Sequence, residues 1–98
     1  MDTAEVARIS RALSDPTRLR IYQAISAGGE VFCGQLVEKY GLTPGTISHH
    51  LKILADAGLI ECRRDGQFIY NRSRPEIIGQ YGRALRKMAG KTKAASKS

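Results

Sequence analysis

The stretch that decides the fold is residues 41–70, GLTPGTISHHLKILADAGLIECRRDGQFIY. It opens on Gly41, the kind of residue that ends a helix in a left-handed conformation. Only Leu42 separates that stop from the next start. Thr43 can cap a helix with its hydroxyl, and Pro44 suits the first helical position, where an N–H would have no partner anyway. Ile47, Leu51 and Leu54 then recur on one helical face until Gly58 closes the helix. After Gly58 the period changes from helical to alternating. Ile60 and Cys62 share one face of a strand, and Phe68 and Tyr70 share one face of the next. Between them lies Arg64-Asp65-Gly66-Gln67, where Asp-Gly signals a two-residue hairpin because both residues tolerate positive φ.

Upstream, Cys33, Leu36, Val37 and Tyr40 form the stripe of a short helix over Cys33–Tyr40. Two short helices joined by a tight glycine-containing turn make a helix-turn-helix, and a hairpin directly after the second is a wing. Nearer the N-terminus, Asp2 and Glu5 form a capping box for a first helix carrying Val6, Ile9 and Leu13. Ser14-Asp15-Pro16 stops that helix and starts a second, with Leu19, Ile21, Tyr22 and Ile25, ended by Gly28-Gly29. Downstream, Ser73 and Glu76 form another capping box. They open a last helix with Ile77, Ile78, Tyr81, Leu85 and Met88 on its apolar side, weakened by Gly79 and Gly82. The expected fold class is mainly α with a small β-hairpin wing: a winged helix-turn-helix of five helices plus a two-stranded wing. Residues 1–90 read as one domain and residues 91–98 as a disordered basic tail.

Length and charge bound what such a domain can do. At 98 residues it buries only about two-thirds of its unfolded surface, so a second subunit covering leftover apolar area would help it. The formal charge is +7, and it is unevenly placed. Residues 1–62 carry six Lys/Arg against seven Asp/Glu, whereas residues 63–98 carry ten against two. A surplus that begins at the hairpin and runs on from there favours a polyanion-facing surface. No apolar run approaches the roughly 20 residues needed to cross a bilayer. The acidic N-terminus lacks the pattern of a signal peptide, and two cysteines without framework spacing suggest reduced thiols. The expectation is a soluble cytoplasmic protein with no membrane partner. The chain has no Gly-rich phosphate loop, no paired carboxylate cluster and no Cys/His arrangement with an orienting third group. These absences argue against an enzyme and against a cofactor.

The helix from Thr43 to Ala57 has two unlike faces. Its apolar residues turn inward, while Gly45, Thr46, Ser48, His49, Lys52 and Asp56 are left for solvent or a partner. A helix of this kind fits the major groove of duplex DNA with its N-terminal residues near base edges. Thr43, Pro44 and Gly45 permit close approach there, and the first-turn N–H groups favour phosphate. Thr46, Ser48 and His49 are the candidates for base or near-base contacts, with Lys52 on phosphate. Arg63, Arg64 and Gln67 at the wing can reach a minor groove or the flanking phosphates. The competing readings are a merely solvated helix face and a charged edge that guards the hairpin from aggregation. His50 lies on the flank of the apolar face and reads as structural. Adjacent histidines on a helix diverge by about 100°, a poor chelating geometry, so no metal site is expected.

The assembled residues resemble the ArsR/SmtB family of winged-helix repressors. The matching stretches are Ala12–Ile21 (ALSDPTRLRI), Ser48–Leu54 (SHHLKIL) with Ala57-Gly58-Leu59-Ile60, and the wing Arg63–Tyr70. Together they cover nearly all of residues 5–80. The resemblance implies a homodimer joined through the first and last helices, operator binding upstream of genes, and release by an inducer. The apolar stripes Val6, Ile9, Leu13 and Ile77, Tyr81, Leu85, Met88 are the corresponding interface candidates. A two-fold dimer would place two recognition helices about 34 Å apart and select a pseudo-palindromic operator.

The inducer is where the chain departs from that family. Metal-sensing relatives carry two cysteines spaced by one residue at the start of the third helix. Here Glu30-Val31-Phe32-Cys33-Gly34-Gln35-Leu36 places Phe32 and Gly34 at those positions, with Cys33 between them. Nor does the last helix offer the His and carboxylate ligands of other relatives. The effector therefore stays unknown. Cys33 starts a helix, where a dipole favours the reactive form of a thiol. Cys62, on the first wing strand, can lie near the segment before that helix. A Cys33–Cys62 thiol switch is one reading, and two small buried cysteines is the other. Two wider alternatives also stand, a winged-helix module for protein or RNA contact and a constitutive repressor without effector.

Overall fold

In the computed structural model, which describes residues 1–90, five helices surround a small core and one antiparallel sheet projects from it. The elements run α1 (Thr3–Leu13), α2 (Pro16–Gly28), β1 (Glu30–Phe32), α3 (Cys33–Tyr40), α4 (Pro44–Asp56), β2 (Ile60–Asp65), β3 (Phe68–Ser73) and α5 (Pro75–Met88). The expected tail, residues 91–98, lies outside the described residues.

The local signals act as read for α1 to α4. The Asp2 carboxylate accepts from the Glu5 N–H while Glu5 accepts from the Asp2 N–H, both at 2.8 Å. Asp15 accepts from the Arg18 N–H at 2.9 Å, with Pro16 in the first turn. Gly41 has φ +64° between α3 and α4. At the end of α4, the Leu59 N–H reaches back to the Leu54 carbonyl and the Gly58 N–H to that of Ala55. This is the Schellman arrangement, which needs the left-handed residue that Gly58 supplies at φ +80°. Leu59, fully buried, seals it. Ile9, Ala12, Ile21, Ile25, Leu36, Ile47, Leu51 and Leu54 form the core beneath it. Leu19, read as an apolar position of the second helix, is 38% exposed instead.

The expected two-stranded wing is present as β2 and β3, and Glu30–Phe32 adds an unforeseen third strand beside it, in the order β1-β3-β2. A three-residue strand is too short to announce itself by alternation, and its partner lies forty positions on. Two further expectations need correction. The hairpin loop is Gly66-Gln67, flanked by the Asp65–Phe68 pair, and only Gly66 takes positive φ. Finally, α5 starts one residue later than a Ser73 cap requires. Arg74 is its N-cap without a side-chain bond, Pro75 occupies the first turn, and the Ser73 hydroxyl is 3.2 Å from that of Tyr22. The proposed subunit stripe also divides. Val6 and Ile9 are 5% and 2% exposed and belong to the core of their own chain, whereas Leu85 and Met88 are 41% and 59% exposed. Apolar periodicity marks a face that must be covered but not what covers it.

Candidate nucleic-acid interface

The first turn of α4 is organised by Thr43. Its Oγ1 accepts from the Thr46 N–H at 3.2 Å and lies 2.9 Å from the Thr46 hydroxyl, while its carbonyl accepts from the Ile47 N–H. The Gly45 N–H has no partner among the described residues. A Cβ at Gly45 would meet nothing within 4 Å. Thr43, Pro44, Gly45, Thr46, Ser48, His49 and Lys52 are all exposed, and so are Arg63, Arg64 and Gln67. The structure brings only some of these together. Ser48 and Lys52 of α4 face Arg64 of β2 across a cleft of about 270 Å³ that Leu51, Ile69 and Asn71 floor. Lys52 also pairs with Asp56 at 3.3 Å, both side chains well exposed.

Arg63 points the other way. Alternation along β2 puts it on the opposite sheet face, where it grips Glu30 with two N–H groups at 3.1 and 3.2 Å. Its guanidinium also lies over the Tyr70 ring, 4.8 Å from the centroid. Hydrogen bonding from Arg63 holds the Glu30 carboxyl below its ordinary range. Phe32, Phe68 and Tyr70 cluster edge to face beside this pair. Arg63 thus braces β1 to the wing. Gln67 sits at the wing tip beside Phe32 and Cys33.

Two residues that sequence reading passed over tie the elements behind these side chains together. Arg18 donates through Nε to the Ala12 carbonyl at 2.7 Å and through Nη2 to the Arg11 carbonyl at 3.3 Å. It thereby caps the end of α1. Its Nη1 lies 3.2 Å from His50 Nδ1 on α4. One guanidinium therefore joins α1, α2 and α4. The only hint in sequence was a cation in a first helical turn, where the helix dipole does not favour one. The second residue is Asn71, fully buried on the central strand. Its Nδ2 donates to the Val31 carbonyl at 3.1 Å, and its Oδ1 accepts from the Cys62 thiol at 3.1 Å. Cys33 Sγ lies 3.8 Å from the same Nδ2. Burial pushes the Cys62 thiol above its ordinary value, and the neighbouring Cys33 adds to that.

Burial pushes the His50 imidazole below its ordinary value; Asp15 opposes this, and Arg18 and His49 reinforce it. The fold therefore prefers neutral His50, which can accept from Arg18, and the unfolded chain binds the proton more readily. That contribution to stability is complete above about pH 6.5 and is lost as pH falls below it. Thermal melts at pH 7.5 and 5.5 should show a Tm drop for the wild type that shrinks by a few degrees in His50→Gln. Equal drops would mean that His50 titrates alike in both states.

Among the described residues no group of three His, Cys, Asp or Glu side chains is placed to hold a metal ion. No described helix is long and apolar enough to cross a membrane.

Comparison with known proteins places this geometry. Residues 13–63 match the family model described as a helix-turn-helix domain. The transcriptional repressor SdpR of Bacillus subtilis is 42% identical over 62 residues, covering 63% of this chain and 68% of that protein. The HTH-type transcriptional regulator YceK of the same organism is 37% identical over 76 residues, 76% of each chain. Among solved structures, the homodimeric winged helix-turn-helix DNA-binding domain of Mb0332 from Mycobacterium bovis superposes with a TM-score of 0.71. Its identity is 28%, over 91% of this chain and 81% of that one.

Proposed function

Because the chain belongs to the ArsR/SmtB-type helix-turn-helix family of transcriptional regulators, we propose that it is a homodimeric, cytoplasmic repressor without enzymatic activity that reads a pseudo-palindromic operator. The observation that carries this reading is the shared cleft in which Ser48 and Lys52 of α4 meet Arg64 of the wing. A helix seated in the major groove brings that cleft over the sugar-phosphate backbone, where two cations without a buried partner are wanted. Thr46, Ser48 and His49 face the bases, and the Gly45 N–H takes a phosphate oxygen. Arg64 and Gln67 follow the backbone into the neighbouring groove, while Arg63 keeps the wing in position.

Dimerisation uses what the chain leaves open between α1 and α5. Met88 and Leu85 are exposed, and Met1, Arg83, Ala84 and Met88 line a groove of about 630 Å³. A second copy of α5 seated there would bury apolar surface that one small core cannot.

The test is binding to DNA upstream of the protein's own gene against random DNA, across a salt series. A selective complex of one dimer per site that weakens steeply with salt supports the reading. Equal, weak binding to both DNAs overturns it in favour of a protein- or RNA-contact module. Gly45→Ala sharpens the test. Alanine should stabilise the helix by about 0.5–1 kcal/mol, yet its methyl group stands where the phosphate approaches. Operator affinity should fall roughly tenfold, the loss of one well-made contact, while Tm holds or rises. Unchanged affinity would show that DNA does not approach this turn.

A further inference from the structure

We infer that Cys33 and Cys62 form a peroxide-driven disulfide switch that moves the wing, with Asn71 as the post between them. The regulatory consequence rests on the DNA-binding reading above; the chemistry does not. A buried asparagine on a central strand is an expensive choice unless its groups are all used. Asn71 uses its amide on one backbone carbonyl and on both thiols of the described chain, so the two sulfurs are neighbours across a single side chain.

The strand order gives this pair its mechanical meaning. β1 and β2 flank β3, so their backbones stand about 10 Å apart at the Val31–Asn71–Cys62 row. A disulfide needs Cα atoms within about 7 Å. Cys33 opens α3 two residues beyond Val31 of that row, so a Cys33–Cys62 bond crosses the central strand through the space the Asn71 amide fills, pushing the amide aside and drawing β2 toward the start of α3. β2 is an edge strand of the sheet, and it carries Arg64. Cys62 itself lines the cleft with Ser48 and Lys52. Drawing β2 inward shifts the wing cation from its place opposite α4.

The steps balance with a hydroperoxide as oxidant. The Cys33 sulfur, toward which Asn71 Nδ2 points, attacks the peroxide oxygen as thiolate. The O–O bond breaks, leaving Cys33 as a sulfenic acid and releasing water once the leaving oxygen is protonated. Cys62 then gives up its proton and attacks the Cys33 sulfur. The S–O bond breaks, a second water leaves and the disulfide closes. Two thiols and one hydrogen peroxide become one disulfide and two waters. A dithiol reductant reverses the change.

The test treats the full-length protein with hydrogen peroxide and follows intact mass, peptide mapping and operator affinity. The expected result is a loss of about 2 Da per chain, a peptide linking residues 33 and 62, and at least tenfold weaker operator binding that dithiothreitol restores. Cys33→Ser should retain the affinity of the reduced wild type and lose the peroxide response, and Cys62→Ser should form no link. A linked pair whose operator affinity and wing amide exchange are both unchanged would overturn the switch. So would sulfinic or sulfonic acid at either cysteine without a link. If the reduced protein shows no operator selectivity, the DNA reading falls, and the peptide map with wing amide exchange still decides the switch.

Discussion

Replacing Lys52 and Arg64 together by alanine should weaken operator binding on the order of 100-fold and lower the salt dependence by nearly two charges. The two side chains face each other across the α4–wing cleft and are exposed. Lys52 has only the exposed Asp56 as a partner, and Arg64 is in no ion pair among the described residues. Little folding free energy depends on them, since exposed pairs of this kind contribute less than about 1 kcal/mol. Circular dichroism and Tm should hardly change. Arg63→Ala is the internal control. It removes a neighbouring cation of the same kind, but one bound to Glu30 on the far face of the sheet. A fall of less than about threefold is expected there, because no phosphate contact is lost. If Arg63→Ala costs as much as Arg64→Ala, the assignment of faces is wrong. If the double variant keeps its salt slope, the cleft is not where DNA lies.

The second large effect is on stability. Arg18→Ala should cost about 2 kcal/mol, in line with losing charge-assisted hydrogen bonds at a part-buried junction. For a chain of this length that corresponds to a Tm fall of roughly 8–16 °C. The variant strips the Arg11 and Ala12 carbonyls of their cap and frees His50. Arg18→Lys cannot span three acceptors with one ammonium and should recover less than half of the loss. A double-mutant cycle with His50→Gln separates the shares: coupling above about 0.5 kcal/mol would assign energy to the α2–α4 contact. Additive effects would place the whole contribution at the end of α1.

Such junctions explain which parts of the molecule are legible in the chain. α3, the turn at Gly41, α4 and the hairpin were readable because each is decided within a few residues, by a cap, a periodic stripe or a left-handed glycine. The faces of α4 follow from the same arithmetic, so the exposure of Thr46, Ser48, His49 and Lys52 was legible. The brace Arg63–Glu30, the junction Arg18–His50 and the post Asn71 were not legible. Their partners lie 33, 32 and up to 40 residues away. Nothing local distinguishes an arginine that reaches carbonyls from one that faces water. β1 escaped for the same reason, since three residues become a strand only when β3 arrives beside them. Nor could Val6 and Ile9 reveal that their own chain, rather than a second copy, covers them.

The placement of β3 between β1 and β2 also sets the order in which the molecule can assemble. Helix turns and the β2–β3 hairpin close over short spans and form early. The Val31–Asn71 pair closes a loop of forty residues, whose entropic cost is met before any contact is returned. The sheet is completed last, after the helices have brought the start of α3 to the hairpin. On this ordering the wing hairpin exists before it is anchored, and its position beside α4 is set only when β1 pairs with β3.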